Sequence, residues 1–71
     1  MTTASTAAAE LRAEMARQNV DVAELAERTG KSTWWVTRRR TGQTSMTVAD
    51  IHLIARALDI PPAQLLGALP T

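Results

Sequence analysis

The segment VAELAERTGKSTWWVTRRRTG, residues 22–42, is the most informative part of this sequence about its fold. Its first part has the apolar spacing of a short helix, and Gly30 supplies a C-terminal stop because glycine readily adopts the left-handed conformation. Ser32 can cap a second helix over residues 33–40, which Gly42 closes. Two short helices joined by a tight turn that contains glycine predict a helix-turn-helix, whose second helix can enter the major groove of DNA.

A capping box precedes the first helix of this pair. Asp21 places an acceptor at the N-cap, and Glu24, three residues later, can reach back to the backbone of Asp21. Upstream, the alanine-rich residues 6–18 are predicted to form another helix, which Asn19 ends, because alanine has the highest helix propensity. The pattern therefore predicts three consecutive helices before Gly42.

Two more helices are predicted after the polar loop. Thr47 can cap a fourth helix with Asp50 three residues later, and Pro61 and Pro62 then interrupt the chain. Because proline is accepted at a helix start, a short fifth helix is predicted over residues 63–69. The apolar positions that we expect to face the core are Ala8, Leu11, Met15, Val20, Val22, Leu25, Ala26, Val48, Ile51, Ile54, Ala55, Leu58, Leu65 and Leu66.

We therefore expect an all-α, compact five-helix bundle, with residues 1–5 as a flexible N-terminus and residues 6–69 as one domain. A chain of 71 residues buries only about 60% of its unfolded surface, so the core must be simple. The chain has no cysteine and a single histidine, His52, which excludes a disulfide framework and a cysteine- or histidine-based metal site. It contains neither an apolar run near the ~20 residues of a membrane span nor a secretory signal.

Catalytic patterns are missing from the sequence. It contains no nucleophile–base pair, paired-carboxylate pocket or phosphate-binding glycine loop, so we predict that the protein is not an enzyme and needs no cofactor. His52 follows an inward position and is expected at the surface or its boundary. The acidic side chains expected on solvated helix faces, with Glu24 paired to Arg28 four residues later, are Glu10, Glu14, Glu24 and Glu27.

Positive charge is concentrated in one window. Residues 31–45 carry Lys31 and three arginines without any acidic residue, for a net charge of +4, whereas the whole chain carries only +1. Residues 1–30 sum to −2 and residues 46–71 to −1. Such a local excess on the second helix of a helix-turn-helix is typical of a protein that binds nucleic acid.

Residues 22–42, together with ADIHLIARALDIPPAQLL (residues 49–66), resemble the helix-turn-helix domain of lambda-type phage repressors and Cro proteins. The resemblance runs from Leu11 to Leu66. It implies a lambda-repressor-like bundle that binds a double-stranded DNA operator in the cytoplasm of a bacterial host cell, as a small Cro or immunity-type repressor. The residues at matching positions are Leu25, Ala26, Gly30, Val36, Gly42, Ile51, Ile54, Ala55, Leu58, Ile60, Leu65 and Leu66.

The sequence departs from the family pattern in three places, two single residues and one pair. Val22 replaces a glutamine that braces the recognition helix, and Arg39 replaces an aliphatic or aromatic residue. Arg40 and Met15 stand where the family often has a Glu–Arg pair. These changes add positive charge where DNA phosphates would lie.

The resemblance implies that Thr33, Trp34, Thr37 and Arg38 contact bases. Arg38 can contact guanine O6 and N7 with two hydrogen bonds. Trp34 can offer an apolar face to a thymine methyl group or its indole N–H to a phosphate, although it could instead cap the core.

A second group is expected at the DNA backbone. The loop before the fourth helix presents backbone N–H groups at a helix N-terminus, which suits a phosphate. Trp35 could lie along the backbone or anchor the recognition helix, and Arg39 could instead lay its stem on the core. The expected backbone contacts are Ser32, Trp35, Arg39, Arg40, Gln43, Thr44, Ser45 and Thr47.

Oligomeric state is a separate question. Relatives commonly bind as two-fold dimers, and Leu65, Leu69 and Pro70 could form an interface if exposed, or could complete the core. We expect a monomer in solution that forms a weak homodimer only on DNA. The alternative functions are an antitoxin-like protein and a protein-interaction bundle whose basic window only solubilises it.

Overall fold

The protein is described from a computed structural model, which covers the backbone of residues 3–66 and the side chains of residues 7–66. Its five helices are α1 (Thr3–Gln18), α2 (Val22–Thr29), α3 (Thr33–Arg40), α4 (Val48–Leu58) and α5 (Pro62–Leu65). Residues 3–66 contain no β-strand, which confirms the all-α bundle. None of the helices described is long and apolar enough to cross a membrane.

A single core connects the helices. α2 packs against α3 and α4, while α1 packs against α3 and α5. Burying one leucine, isoleucine or valine side chain contributes roughly 1.5–3 kcal/mol, so a few such residues account for much of the stability. The largest fully buried side chains are Leu11, Leu25, Val36, Ile54, Leu58 and Leu65.

The predicted caps are present, with one difference. Ser32 accepts a hydrogen bond from the N–H of Trp35 at 3.0 Å, and Gly30 is left-handed with φ 74°. Asp21 accepts from the N–H of Glu24 at 2.8 Å. The Glu24 carboxylate, however, pairs with Arg28 rather than with the backbone of Asp21, so the predicted capping box is only half formed.

Two helix limits differ from the prediction. α1 begins at Thr3 instead of residue 6, because residues 3–5 contain no proline or glycine that would stop a helix. α5 begins at Pro62 rather than Ala63, since proline fits the first helical position, and its described part ends at Leu65. The predicted continuation over residues 67–69 lies outside the described residues, as do the candidate interface residues Leu69 and Pro70.

Burial corrects two further expectations. Val48 is 68% exposed, although it keeps the helical spacing of the core, because it is the first residue of α4 and lies at the end of the packed helix. Leu65 is 1% exposed and completes the core, so it cannot supply a dimer surface.

Glu14 is buried, contrary to the prediction of a solvated side chain. Its carboxylate accepts hydrogen bonds from Arg17 at 2.7 Å, from Gln18 at 2.8 Å and from Gln64 of α5. Gln18 also donates to the carbonyl of Leu58 at 2.7 Å. The hydrogen bond from Gln18, followed by that from Arg17, holds the pKa of Glu14 below its ordinary value although burial opposes this. The Glu14 carboxylate therefore joins α1 to α5, and Gln18 joins α1 to α4.

Candidate nucleic-acid interface

The turn between α2 and α3 fixes the orientation of α3. Lys31 donates its backbone N–H to the carbonyl of Ala26 at 3.1 Å, next to the left-handed Gly30. Such a bond satisfies an orphan carbonyl at a helix C-terminus. Val36, which is 1% exposed, anchors α3 in the core. The opposite side of α3 consequently faces solvent.

Three of the expected base-contacting residues lie exposed on α3. Thr33, Trp34 and Thr37 are exposed, and the Trp34 side chain reaches 67% of its full exposure. Trp34 therefore does not cap the core. Arg38 is partly buried, but its position four residues after Trp34 places it on the same helix face. The structure brings all four residues onto one surface.

Arg38 is held by two neighbours. Its guanidinium lies over the Trp34 ring, 4.6 Å from the centroid, and its Nε donates to the Thr44 hydroxyl at 2.8 Å. Thr44 also donates its backbone N–H to the carbonyl of Arg38 at 3.1 Å. Among the side chains that the structure describes, none accepts a hydrogen bond from the terminal Nη atoms of Arg38. These two nitrogens are available to a ligand.

Arg39 is directed into the protein. Its guanidinium stacks 4.1 Å from the centroid of the Trp35 ring, and its Nε donates to Asp50 at 3.1 Å. The side chains of Arg39 and Asp50 are only 15% and 16% exposed. Trp35 packs against the core, with the Lys31 ammonium 5.5 Å from its ring centroid. Trp35 and Arg39 thus anchor α3 and fasten it to α4.

Asp50 serves two elements at once. It accepts the backbone N–H of Thr47 at 3.1 Å, while the Thr47 hydroxyl accepts the N–H of Asp50 at 3.0 Å, which completes the capping box of α4. Partial burial opposes ionisation of Asp50, but the hydrogen bonds from Thr47 and Arg39 outweigh it and hold the pKa of Asp50 below its ordinary value. The folded state therefore favours the ionised form of Asp50.

Arg12 is a basic residue near α3 that no sequence pattern indicated. Its Nη1 donates to the carbonyl of Arg40 at 2.7 Å. Helical spacing puts Arg12 one turn before Met15 on α1. It does not predict that this part of α1 packs against the end of α3. The two arginines border an open cleft of about 250 Å³ whose lining is Arg12, Met15, Ala16, Val20, Asp21, Val22 and Arg40.

The remaining expected backbone contacts differ in accessibility. Gln43 and Ser45 are exposed on the loop before α4, and Arg40 is partly exposed. Ser32 and Thr47 are exposed, but each hydroxyl already accepts a helix N–H as a cap. A hydroxyl that accepts one hydrogen bond retains its own proton as a donor, so capping and a phosphate contact are compatible.

His52 lies where the sequence predicted, on the surface. Its side chain is exposed, with Nδ1 2.9 Å from the carbonyl oxygen of Val48. No group of three or more potential metal-ligating side chains occurs in the part of the chain that the structure describes.

A glycine turn, an anchored second helix and a basic outer face together define a DNA-binding helix-turn-helix protein. The family model of the helix-turn-helix domain matches residues 7–66, and the chain therefore belongs to this family. The family is typically non-enzymatic. No curated protein and no solved structure matches the chain significantly.

Proposed function

We propose that this protein is a sequence-specific transcriptional regulator that binds a double-stranded DNA operator, as a small repressor of the phage Cro or immunity type. The observation that carries the proposal is the outer face of α3, where an exposed tryptophan lies beside an arginine whose terminal nitrogens have no partner among the described side chains. This face belongs to the window of residues 31–45, which has a net charge of +4 and no acidic residue. Such a surface suits the edge of bases flanked by phosphates.

α3 would enter the major groove and contact bases through Thr33, Trp34, Thr37 and Arg38. Arg38 is the specific reader, because two parallel N–H groups match O6 and N7 of guanine. Trp34 would supply an apolar surface for a thymine methyl group, and the exposed threonines can donate to either bases or phosphates.

The backbone contacts would flank this face. Gln43, Ser45 and Arg40 are the most accessible, while Ser32, Thr44 and Thr47 can each donate a hydroxyl proton to a phosphate. Trp35 and Arg39 remain proposed backbone neighbours, but their internal contacts assign them mainly to holding α3 in place. Arg12 joins the proposed phosphate neighbours because it reaches the end of α3.

Repression would follow from occupancy. A protein bound at an operator excludes polymerase from overlapping DNA, and no step requires a cofactor. We propose that the protein acts in the cytoplasm of a bacterial host cell and pairs as a weak dimer on DNA.

The test is selection of bound duplexes from a random DNA library at physiological salt, followed by sequencing. A palindrome with half-sites about 10 bp apart supports a dimeric operator-binding protein, and one short site supports a monomer. Six phosphate contacts would also give a slope of roughly −5 for log affinity against log salt. Absence of enrichment, with a shallow salt slope, would contradict the proposal and favour an antitoxin-like or protein-interaction function.

Matched variants sharpen this test. Arg38→Ala should weaken enrichment and relax the preference at one base position, whereas Arg56→Ala removes the same charge from an exposed position of α4 and should preserve both. If both variants lowered enrichment equally, net charge rather than the face of α3 would explain DNA binding.

A further inference from the structure

The loop after α3 holds the proposed base-reading arginine in place. Thr44 contacts Arg38 twice, through its backbone N–H to the Arg38 carbonyl at 3.1 Å and through its hydroxyl, which accepts from Nε at 2.8 Å. The first contact aligns the loop with the end of α3. The second then fixes the guanidinium relative to that loop.

Occupation of Nε limits how Arg38 can contact a base. An arginine can present two parallel N–H groups either from Nε and one Nη or from the two Nη atoms. Because Thr44 takes the Nε proton, only the Nη1–Nη2 edge remains for a bidentate contact. That edge matches the two acceptors of guanine, O6 and N7.

The Trp34 ring further restricts the guanidinium. It lies 4.6 Å from Arg38 and covers one face, so rotation of the plane is opposed on that side. A free arginine side chain loses rotamer freedom when it binds a base. Because Trp34 and Thr44 already restrain Arg38, this entropic cost of binding is smaller.

We infer that Thr44 is a specificity-determining residue of this protein: its hydroxyl orients Arg38 so that the two Nη atoms select guanine. The inference rests on the proposed function and gives Thr44 a role beyond contact with a phosphate. A phosphate contact would affect all DNA sequences equally, whereas a residue that orients Arg38 affects discrimination at one base pair.

The experiment uses the full chain and the duplex enriched by the wild type. Each guanine is replaced in turn by 7-deazaguanine, which lacks the N7 acceptor, and binding is measured for wild type, Thr44→Val and Thr44→Ser. Valine preserves the shape of threonine but removes the hydroxyl, while serine retains the hydroxyl. Thermal unfolding of each variant confirms that it is folded.

We expect one guanine at which loss of the N7 acceptor weakens wild-type binding by about 10- to 150-fold, the range for loss of one hydrogen bond to a charged group. Thr44→Val should reduce this penalty by about 3- to 10-fold, the size of the net contribution of a typical intramolecular hydrogen bond, while Thr44→Ser retains it. In an Arg38→Ala background, Thr44→Val should have no further effect on discrimination, because the two residues act as one unit.

Three results would overturn the inference. Uniform weakening on every duplex by Thr44→Val would make Thr44 a phosphate contact, and an equal effect in the Arg38→Ala background would separate it from Arg38. A retained penalty in Thr44→Val and in a second variant, Thr44→Ala, would also refute it. If the wild type enriched no sequence, the proposed function would fail first, before any variant was compared.

Discussion

Two chemically identical pairs on α3 have opposite environments. Trp34 with Arg38 and Trp35 with Arg39 are both tryptophan–arginine stacks at i, i+4, with the guanidinium 4.6 Å and 4.1 Å from the ring centroid. The first pair lies on the solvent face, where Trp34 is 67% exposed. The second packs on the core, and Arg39 is 15% exposed and bonded to Asp50.

The position of each residue along α3 determines its role. One residue rotates the direction of a side chain by roughly 100°, so neighbouring pairs with the same chemistry face different surroundings. The three consecutive arginines therefore do not form one basic cluster. Arg38 lies on the outer face, and Arg39 joins α3 to α4 through its hydrogen bond to Asp50. The carbonyl of Arg40 accepts a hydrogen bond from Arg12 of α1.

The largest effect is expected on the free energy of unfolding, which should depend on Arg39 much more than on Arg38. Arg39→Ala should lower the free energy of unfolding by about 2–3 kcal/mol, because it removes charged hydrogen bonds and leaves Asp50 without its cation. Arg38→Ala should lower it by only about 0.5–1 kcal/mol, because it removes a stack on an exposed ring and one hydrogen bond to Thr44 but leaves no charge without its partner. Urea unfolding of both variants measures the contrast, and equal losses would contradict the division of roles.

In DNA binding, Arg38→Ala should have the larger effect and Arg39→Ala the smaller one, the reverse of their effects on stability. Arg38→Ala should cost about 1–3 kcal/mol of base discrimination at one position, whereas Arg39→Ala should retain sequence preference in whatever fraction remains folded. The measurement is competition between the enriched duplex and its single-base variants at a temperature where both proteins are folded. Loss of discrimination in Arg39→Ala alone would assign base reading to the wrong arginine.

Acid should weaken the inner pair. Because the folded pKa of Asp50 lies below its ordinary value of 3.8, ionised Asp50 stabilises the fold above that value, and this contribution is lost as pH falls through the folded pKa. Asp50→Asn keeps an acceptor for the cap of α4 but should show a shallower loss of stability below pH 3.8. Glu14, whose pKa is also lowered, adds acid sensitivity in the same direction, so part of the loss remains.

The measurement is the urea midpoint of both proteins from pH 7 down to about pH 2.5, the interval in which a lowered aspartate pKa acts. Identical pH profiles for wild type and Asp50→Asn would refute this account of the Asp50 pKa. Arg38→Ala serves as the control, since its profile should match that of the wild type.

The smallest effect on stability is expected for substitution of the exposed Trp34. Trp34→Ala should alter stability by less than about 0.5 kcal/mol, because the ring has little contact with the core. The remaining fluorescence should then come from Trp35 and be quenched less by iodide than in the matched Trp35→Ala variant, which retains Trp34. Equal quenching of the two single-tryptophan proteins would remove the distinction on which the comparison is based.

The helices and most of the core were predictable from the sequence. Ser32, Thr47 and Gly30 end or begin helices as expected, because caps depend on residues three or four positions apart. The predictions for Glu14 and Val48 were wrong, because Glu14 is buried and Val48 is exposed. Periodicity shows which face of a helix is apolar, but it does not show how far the neighbouring helices extend along that face. Of the proposed DNA-binding surface, the sequence indicated the exposed positions on α3 but not the side chains that contact them.

Sequence patterns alone were sufficient to predict an all-α helix-turn-helix protein with a concentration of positive charge on α3, the second helix of the motif. Within the described part of the chain, which arginine has free N–H groups and which is bonded to an acid follows from the packing of the helices. The contacts of Arg39 with Asp50, Arg12 with Arg40 and Glu14 with Gln64 span 11, 28 and 50 residues. Local propensities act over one helical turn, whereas these contacts exist only after the helices have packed around a common core.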